Sequence, residues 1–232
     1  MRTVGLLGGM SWESTQTYYR LINEGIRDRL GGLHSAELVL YSVDFEPIER
    51  LQRTGCWDEA GTVLADAARA LEAAGAECAV LCTNTMHKVA SAIEAAVTIP
   101  LLHIADATAA AVVAAGHTHV GLLGTRFTME ESFYRDRLAD PYGLHVLVPD
   151  GPDREIIDHV IFGELCLGRI LEGSRTRYRD ILHRLATAGA QAIVLGCTEI
   201  SLLVGADDAP VPLFDSTALH AAAAVAWALE ET

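Results

Sequence analysis

The chain is poor in aromatic residues, at 6%, and poor in positive charge: 17 Lys and Arg stand against 31 Asp and Glu, a net charge of −14. The aromatic shortage leaves the core to aliphatic side chains and alanine. The shortage of cations excludes a stripe that would neutralise successive phosphates, so neither nucleic acid nor an acidic membrane surface is an expected partner. An acidic small molecule is still allowed, because a pocket can be locally positive inside an acidic protein. Cysteine is sparse as well. Cys56, Cys78, Cys82, Cys166 and Cys197 make an odd set with no Cys-x-x-Cys spacing. That argues against a disulfide framework or a zinc site and for a reducing, cytoplasmic setting. The nine histidines form no H-x-x-x-H or H-E-x-x-H pattern, so no metal site is expected. Long apolar runs are missing too. "STALHAAAAVAWAL" is too short to span a bilayer, and the first apolar run reaches Trp12-Glu13 too soon for a signal-peptide core.

What is present is an alternation. Of 232 residues, 50% are hydrophobic, enough for one large core or two modest ones. Short apolar runs read as strands: "TVGLLG", "AELVLYSV", "CAVLC", "IPLLHI", "HVGLLG", "LHVLV", "AIVLG" and "VPLF". Helical patterns such as "ESTQTYYRLINEGIRDRL", "DEAGTVLADAARALEAAG" and "TRYRDILHRLATAG" separate them. Continuous apolar strands alternating with helices indicate an α/β protein whose parallel sheets are covered on both faces.

The alternation also repeats. "TVGLLGGMSW" recurs as "HVGLLGTRFT" 116 residues later. "LEAAGAECAVLCTNT", residues 71–85, aligns without gaps on "LATAGAQAIVLGCTE", residues 185–199, an offset of 114 with six of fifteen residues identical. Two co-linear matches at nearly one offset point to an internal duplication. The expected architecture is two similar α/β lobes related by a pseudo-twofold, residues 1–98 plus 212–232 and residues 99–211, with the active site in the cleft between them. Ligands of open parallel sheets sit at the carboxyl ends of strands.

The gapless alignment sets Thr83 opposite Cys197 and Cys82 opposite Gly196. Each position lies just after a buried strand. In "VLGCTEI", Cys197 stands where a following helix would offer free backbone N–H groups, which would lower the thiol pKa and favour a thiolate; a buried cysteine acting as a small hydrophobe is the plainer alternative. In "CTNT", hydroxyls, an amide and backbone N–H groups in one turn suit a carboxylate, although the same residues also cap ordinary turns. Successive strand side chains face opposite ways, so Cys82 and Thr83 cannot both face the cleft while the strand persists, and Cys82 is expected in the core. Gly8 and Gly9 serve either a close ligand approach or a tight turn, and neither glycine-rich stretch fits a dinucleotide or Walker motif. His87, three residues past the "CTN" turn, is expected to lie on the surface or to pack within its helix. Arg50, Arg53 and Arg126 could lend the site positive charge but are ordinarily solvated.

Together "GLLGGMSWEST", "LCTNTMHK", "HIADAT", "LLGTRFTM", "IFGELCLG" and "LGCTEI" resemble the aspartate/glutamate racemase superfamily, in particular the aspartate racemase branch and its enterobacterial L-aspartate/glutamate-specific type. The resemblance covers essentially the whole chain. It implies a cofactor-independent, PLP-independent amino-acid racemase, a homodimer, in which two thiols flank the α-carbon of a small amino-acid substrate. One thiolate removes the α-proton and the other thiol reprotonates from the opposite face. Cys197 matches the second-half thiol. The first-half thiol belongs immediately before Asn-Thr, where this chain has Thr83. The resemblance further implies substrate contacts from Asn84, Thr85 and Thr198, with the Gly9-Met10 turn and Thr125 lining the site. Gln52 stands where related enzymes recognise the substrate side chain, and Cys166 where aspartate racemases can carry a lysine.

A hydroxyl cannot rest as an alkoxide at neutral pH, so it is a poor base, yet it can donate a proton to a strongly basic carbanion. The expected division is Cys197 as base and Thr83 as donor, favouring conversion of L-Glu or L-Asp to the D form. A single active cysteine also suits a decarboxylase or a cis-trans isomerase of a dicarboxylate, and a chain that lost one thiol could be a non-catalytic binder of acidic metabolites.

Overall fold

The computed structural model describes residues 1–230 of the 232. It divides into two compact units, residues 1–103 with the segment from 220 onward, and residues 104–219.

The first unit holds strands β1 (Val4–Gly8), β2 (Leu38–Ser42), β3 (Cys78–Leu81) and β4 (Leu101–Leu102). They form one parallel sheet in the order β2-β1-β3-β4. Helices α1 (Trp12–Leu30), α2 (Phe45–Thr54), α3 (Trp57–Ala73) and α4 (Ala90–Glu94) connect them. The second unit repeats the plan. After α5 (Ile104–Ala114), strands β5 (His119–Gly124), β6 (His145–Leu147), β7 (Ala192–Gly196) and β8 (Leu213–Asp215) form a parallel sheet ordered β6-β5-β7-β8. The intervening helices are α6 (Arg126–Glu130), α7 (Ser132–Ala139), α8 (Gly151–Gly163), α9 (Glu172–Thr187) and α10 (Ile200–Leu203). The last helix, α11 (Ser216–Leu229), crosses the boundary between the units.

Each sheet is apolar on both faces, which is why its strands read as unbroken hydrophobic runs. In the first unit Leu7 and Leu81 pack with Ile48, Leu64 and Met86 on one side. Val4, Leu6, Cys78, Val80 and Cys82 pack on the other against Tyr18, Ile22 and Ile26 of α1 and Ala221, Ala224 and Val225 of α11. In the second unit Leu123, Ile193 and Leu195 face α8 and α9, and Val120, Leu122 and Val194 face α5 and α7.

The breaks between units fall later than residues 98 and 211, where the sequence placed them. β4 adds to the first sheet through the pairs Ala79–Leu101 and Val80–Leu102, which keeps "IPLLH" in the first unit. β8 pairs with β7 through Ile193–Leu213, which keeps residues 212–219 in the second.

Gly9 lies at φ +95°, and a Cβ there would stand 2.2 Å from the Val43 carbonyl oxygen. Backbone therefore fills the space a side chain would need, and the close approach at Gly9 is protein to protein, as a tight turn requires.

Burial pushes the Cys78 thiol up to about 12, and raises Cys82, Tyr134 and Tyr178 as well. These groups stay protonated when folded but ionise nearer their ordinary values once exposed, roughly 8.5 for a thiol and 10 for a phenol. Their stabilising contribution is complete below the unfolded values and is lost as pH rises above them. The urea midpoint is therefore expected to fall steadily between about pH 8.5 and 11; a midpoint unchanged across that range would contradict the burial of these groups.

Candidate active site

Each sheet presents a turn at the carboxyl end of its inner strands. In the first unit β3 ends at Leu81, and Cys82 continues its alternation into the packed α1/α11 side with no exposure. Its thiol lies 3.6 Å from the Val80 carbonyl oxygen, and burial raises its pKa. Thr83 follows in the turn, 7% exposed, with its N–H donating to the Leu81 carbonyl at 2.8 Å. Asn84 and Thr85 are also buried, and Thr85 opens a 3-10 turn running to Val89. His87, on that turn, donates from Nδ1 to the Thr83 carbonyl oxygen at 2.7 Å.

Two more of the expected residues meet this turn. Gln52, in the last turn of α2, is buried and directs Nε2 to the Met86 thioether at 2.9 Å. Met10 belongs to the same core cluster as Met86. The register pairs Leu7 with Leu81, so the turn after β1 runs beside the turn after β3. Arg50 and Arg53 are exposed, the latter paired with Glu49 at 3.5 Å.

In the second unit Gly124 and Gly196 are register partners at the ends of β5 and β7. Thr125 and Cys197 are the residues that follow them. Thr125 is the N-cap of α6, its hydroxyl accepting from the Thr128 N–H at 3.3 Å. Cys197 is 6% exposed and donates to Glu199 Oε2 at 3.1 Å. The Thr198 hydroxyl donates to the same oxygen at 2.7 Å. Cys166, half-buried on a 3-10 turn (Leu165–Leu167), packs against the core cluster that contains Cys197. Arg126 is exposed and lies 3.4 Å from Glu130.

The state of Cys197 differs from the expectation of a lowered pKa. Burial raises it well above the ordinary thiol value, the negative charge of Glu199 raises it further, and the Glu199 backbone N–H opposes them only in part. The helix that follows, α10, has four residues and begins at Ile200, so its field is too small to reverse the cost of desolvation. Cys197 rests as a thiol whose proton points at a carboxylate. Glu199 is the residue that sequence reasoning passed over. It stands in plain view in "GCTE", but its burial, at 4% exposure, depends on the turn.

A family model described as Asp/Glu/hydantoin racemase matches residues 7–224. The chain belongs to that family. Membership makes it an enzyme of the amino-acid racemase class. The structure of a candidate Asp/Glu racemase from Yersinia pestis is 56% identical, with a TM-score of 0.92 over 99% of this chain and 100% of that one. An aspartate racemase homologue from Pyrococcus horikoshii is 34% identical, with a TM-score of 0.85 over 99% of this chain and all of that one. An aspartate racemase from Picrophilus torridus shares the fold at 20% identity, with a TM-score of 0.77 over 98% and 94% of the two chains. The racemase fold of two four-stranded parallel sheets thus covers the chain from end to end.

The Glu199 carboxylate both raises the Cys197 pKa and accepts its proton. Replacing it by glutamine, Glu199→Gln, should lower that pKa, so that iodoacetamide labels Cys197 several-fold faster at pH 8, read by peptide mass mapping. Unchanged or slower labelling would show that Glu199 does not set the state of the thiol.

Proposed function

We propose that this racemase interconverts the enantiomers of acidic amino acids, aspartate or glutamate, without a cofactor, with Cys197 as base and Thr83 as proton donor. The observation that carries the reading is the Cys197 thiol, aimed at a buried carboxylate at a strand end whose duplicate in the first unit bears a hydroxyl. On this reading the α-carboxylate is held by the amide, hydroxyl and N–H groups of Asn84, Thr85 and Thr198. Met10 and Thr125 line the site, and Gln52 and Cys166 face the side chain. The Cys197 proton passes to Glu199 Oε2. The resulting thiolate removes the α-proton, and the Thr83 hydroxyl gives its proton to the other face of the carbanion. The Thr83 oxygen is then reprotonated by water, and the hydroxide so formed takes back the proton held by Glu199, which returns every group to its starting state. Proton transfers of this kind contribute about 10²–10⁴-fold each.

A hydroxyl in place of a thiol makes the pair lopsided. Enantiomers have equal free energy, so kcat/KM is the same in both directions, but kcat and KM need not be. A preference for L-to-D conversion therefore means that the D enantiomer has the lower KM together with the lower kcat. The cofactor reading has support in the sequence. Pyridoxal chemistry needs a lysine, and the only lysine in the chain is Lys88, whose ammonium lies 4.0 Å over the Trp57 ring.

We also place the enzyme in the cytoplasm as a homodimer. None of the five cysteines is in a disulfide, and no helix among the described residues is long and apolar enough to cross a membrane. Leu40 and Tyr41 of the edge strand β2, and Trp12 and Tyr19 of α1, are exposed apolar side chains, which suits a second copy.

Thr83→Cys restores a thiol donor and should raise kcat at least about ten-fold, most of all from the D enantiomer, as followed by circular dichroism from both pure enantiomers. Equal saturated rates from D- and L-glutamate in the unaltered enzyme would sink the asymmetry. An amino acid left optically unchanged while a malonate loses CO2 would favour a decarboxylase instead.

A further inference from the structure

Beneath the Thr83 turn the first unit buries three imidazoles. His87, His103 and His220 are all nearly or fully inaccessible. The His87 ring centroid lies 4.3 Å from that of His103 and 5.9 Å from that of His220. His103 closes the first segment of this unit and His220 opens its second, so two distant stretches of chain meet on one side chain of the 3-10 turn.

The hydrogen bonds fix how the rings stand. A carbonyl oxygen can only accept, so His220 Nε2 carries a proton donated to the Leu102 carbonyl at 2.8 Å. In the neutral ring its Nδ1 then accepts from the Tyr18 hydroxyl, 2.9 Å away, and Tyr18 itself is wholly buried in α1. By the same rule His87 Nδ1 carries the proton given to the Thr83 carbonyl at 2.7 Å. That carbonyl needs such a donor. β4, the next strand, ends at Leu102, level with Val80, so the ladder has run out three residues before Thr83. A buried carbonyl stripped of its donor is left with its desolvation uncompensated and is free to rotate. Rotation of that peptide changes the backbone angle of Thr83, and the allowed side-chain rotamers change with it.

We propose that His87 is a positioning residue: its Nδ1–H, braced by His103 and the His220–Tyr18 pair, holds the Thr83 peptide so that the hydroxyl stays aimed for proton delivery. The proposal rests on the racemase reading above and concerns only the Thr83 half-reaction.

The two halves separate in D2O. Exchange of the α-hydrogen of an L substrate without inversion reports Cys197. Inversion reports Thr83. His87→Leu keeps the volume but loses the donor. It should lower the inversion rate about ten-fold or more, leave exchange with retention within about two-fold, and leave KM nearly unchanged. His87→Asn, whose amide N–H takes roughly the place of Nδ1–H, should recover most of the inversion and serves where the leucine variant folds poorly. In a Thr83→Ala background His87→Leu should cost nothing more. An equal loss of exchange and inversion, or losses that multiply in the double variant, would overturn the assignment. If the unaltered enzyme shows no exchange that depends on Cys197, the racemase reading itself fails and takes this inference with it.

Discussion

Everything distinctive here follows from the two-residue period of a β-strand. β3 ends at Leu81, and the alternation of Cys78, Val80 and Cys82 carries the Cys82 side chain to the face that α1 and α11 cover. Thr83 is left as the first residue of the turn beyond, its N–H on the Leu81 carbonyl. Val4, Leu6, Cys78, Val80 and Cys82 form one unbroken face sealed by those helices. The thiol is spent on the core, and the hydroxyl of Thr83 takes the position that Cys197 holds in the second sheet. A shift of register by one residue would exchange them, and the parallel pairing of β3 with both β1 and β4 prevents it.

The second constraint is desolvation. A thiol at 6% exposure beside a carboxylate at 4% cannot keep a resting negative charge. Burial and the neighbouring Glu199 carboxylate both hold the proton on the Cys197 sulfur. On the proposed reading, chemistry depends on moving that proton over one hydrogen bond when substrate arrives, which gives Glu199 a part beside Cys197. The two turns also solve the same problem in different ways. In the second unit a carboxylate collects the donors of Cys197 and Thr198. In the first, the Thr83 carbonyl is held by an imidazole.

Much of this was legible in the sequence. All eight candidate strands appear, because each is a short apolar run flanked by turn residues. The placement of Cys82 in the core and Thr83 at the turn came from the gapless repeat together with strand alternation. Other features depended on distances that sequence does not encode. β4 has two residues and β8 three, too short to reveal which sheet each joins, so the unit boundaries moved. His87 read as a surface or packing residue; its bond to the Thr83 carbonyl needs the 3-10 turn to bring it back over its own strand end. The thiol pKa was misjudged in sign because a helix start is visible in a sequence and the depth of burial is not.

The central claim is that a single thiol, Cys197, opens the α-carbon of an acidic amino acid. The most direct measurement is the rate at which deuterium from solvent enters the α-position of L-glutamate or L-aspartate, compared between the unaltered enzyme and Cys197→Ala. The account predicts clear incorporation that the substitution abolishes, with the fold retained by circular dichroism. Tight binding of the amino acid with no incorporation, or incorporation that survives the loss of Cys197, would contradict it.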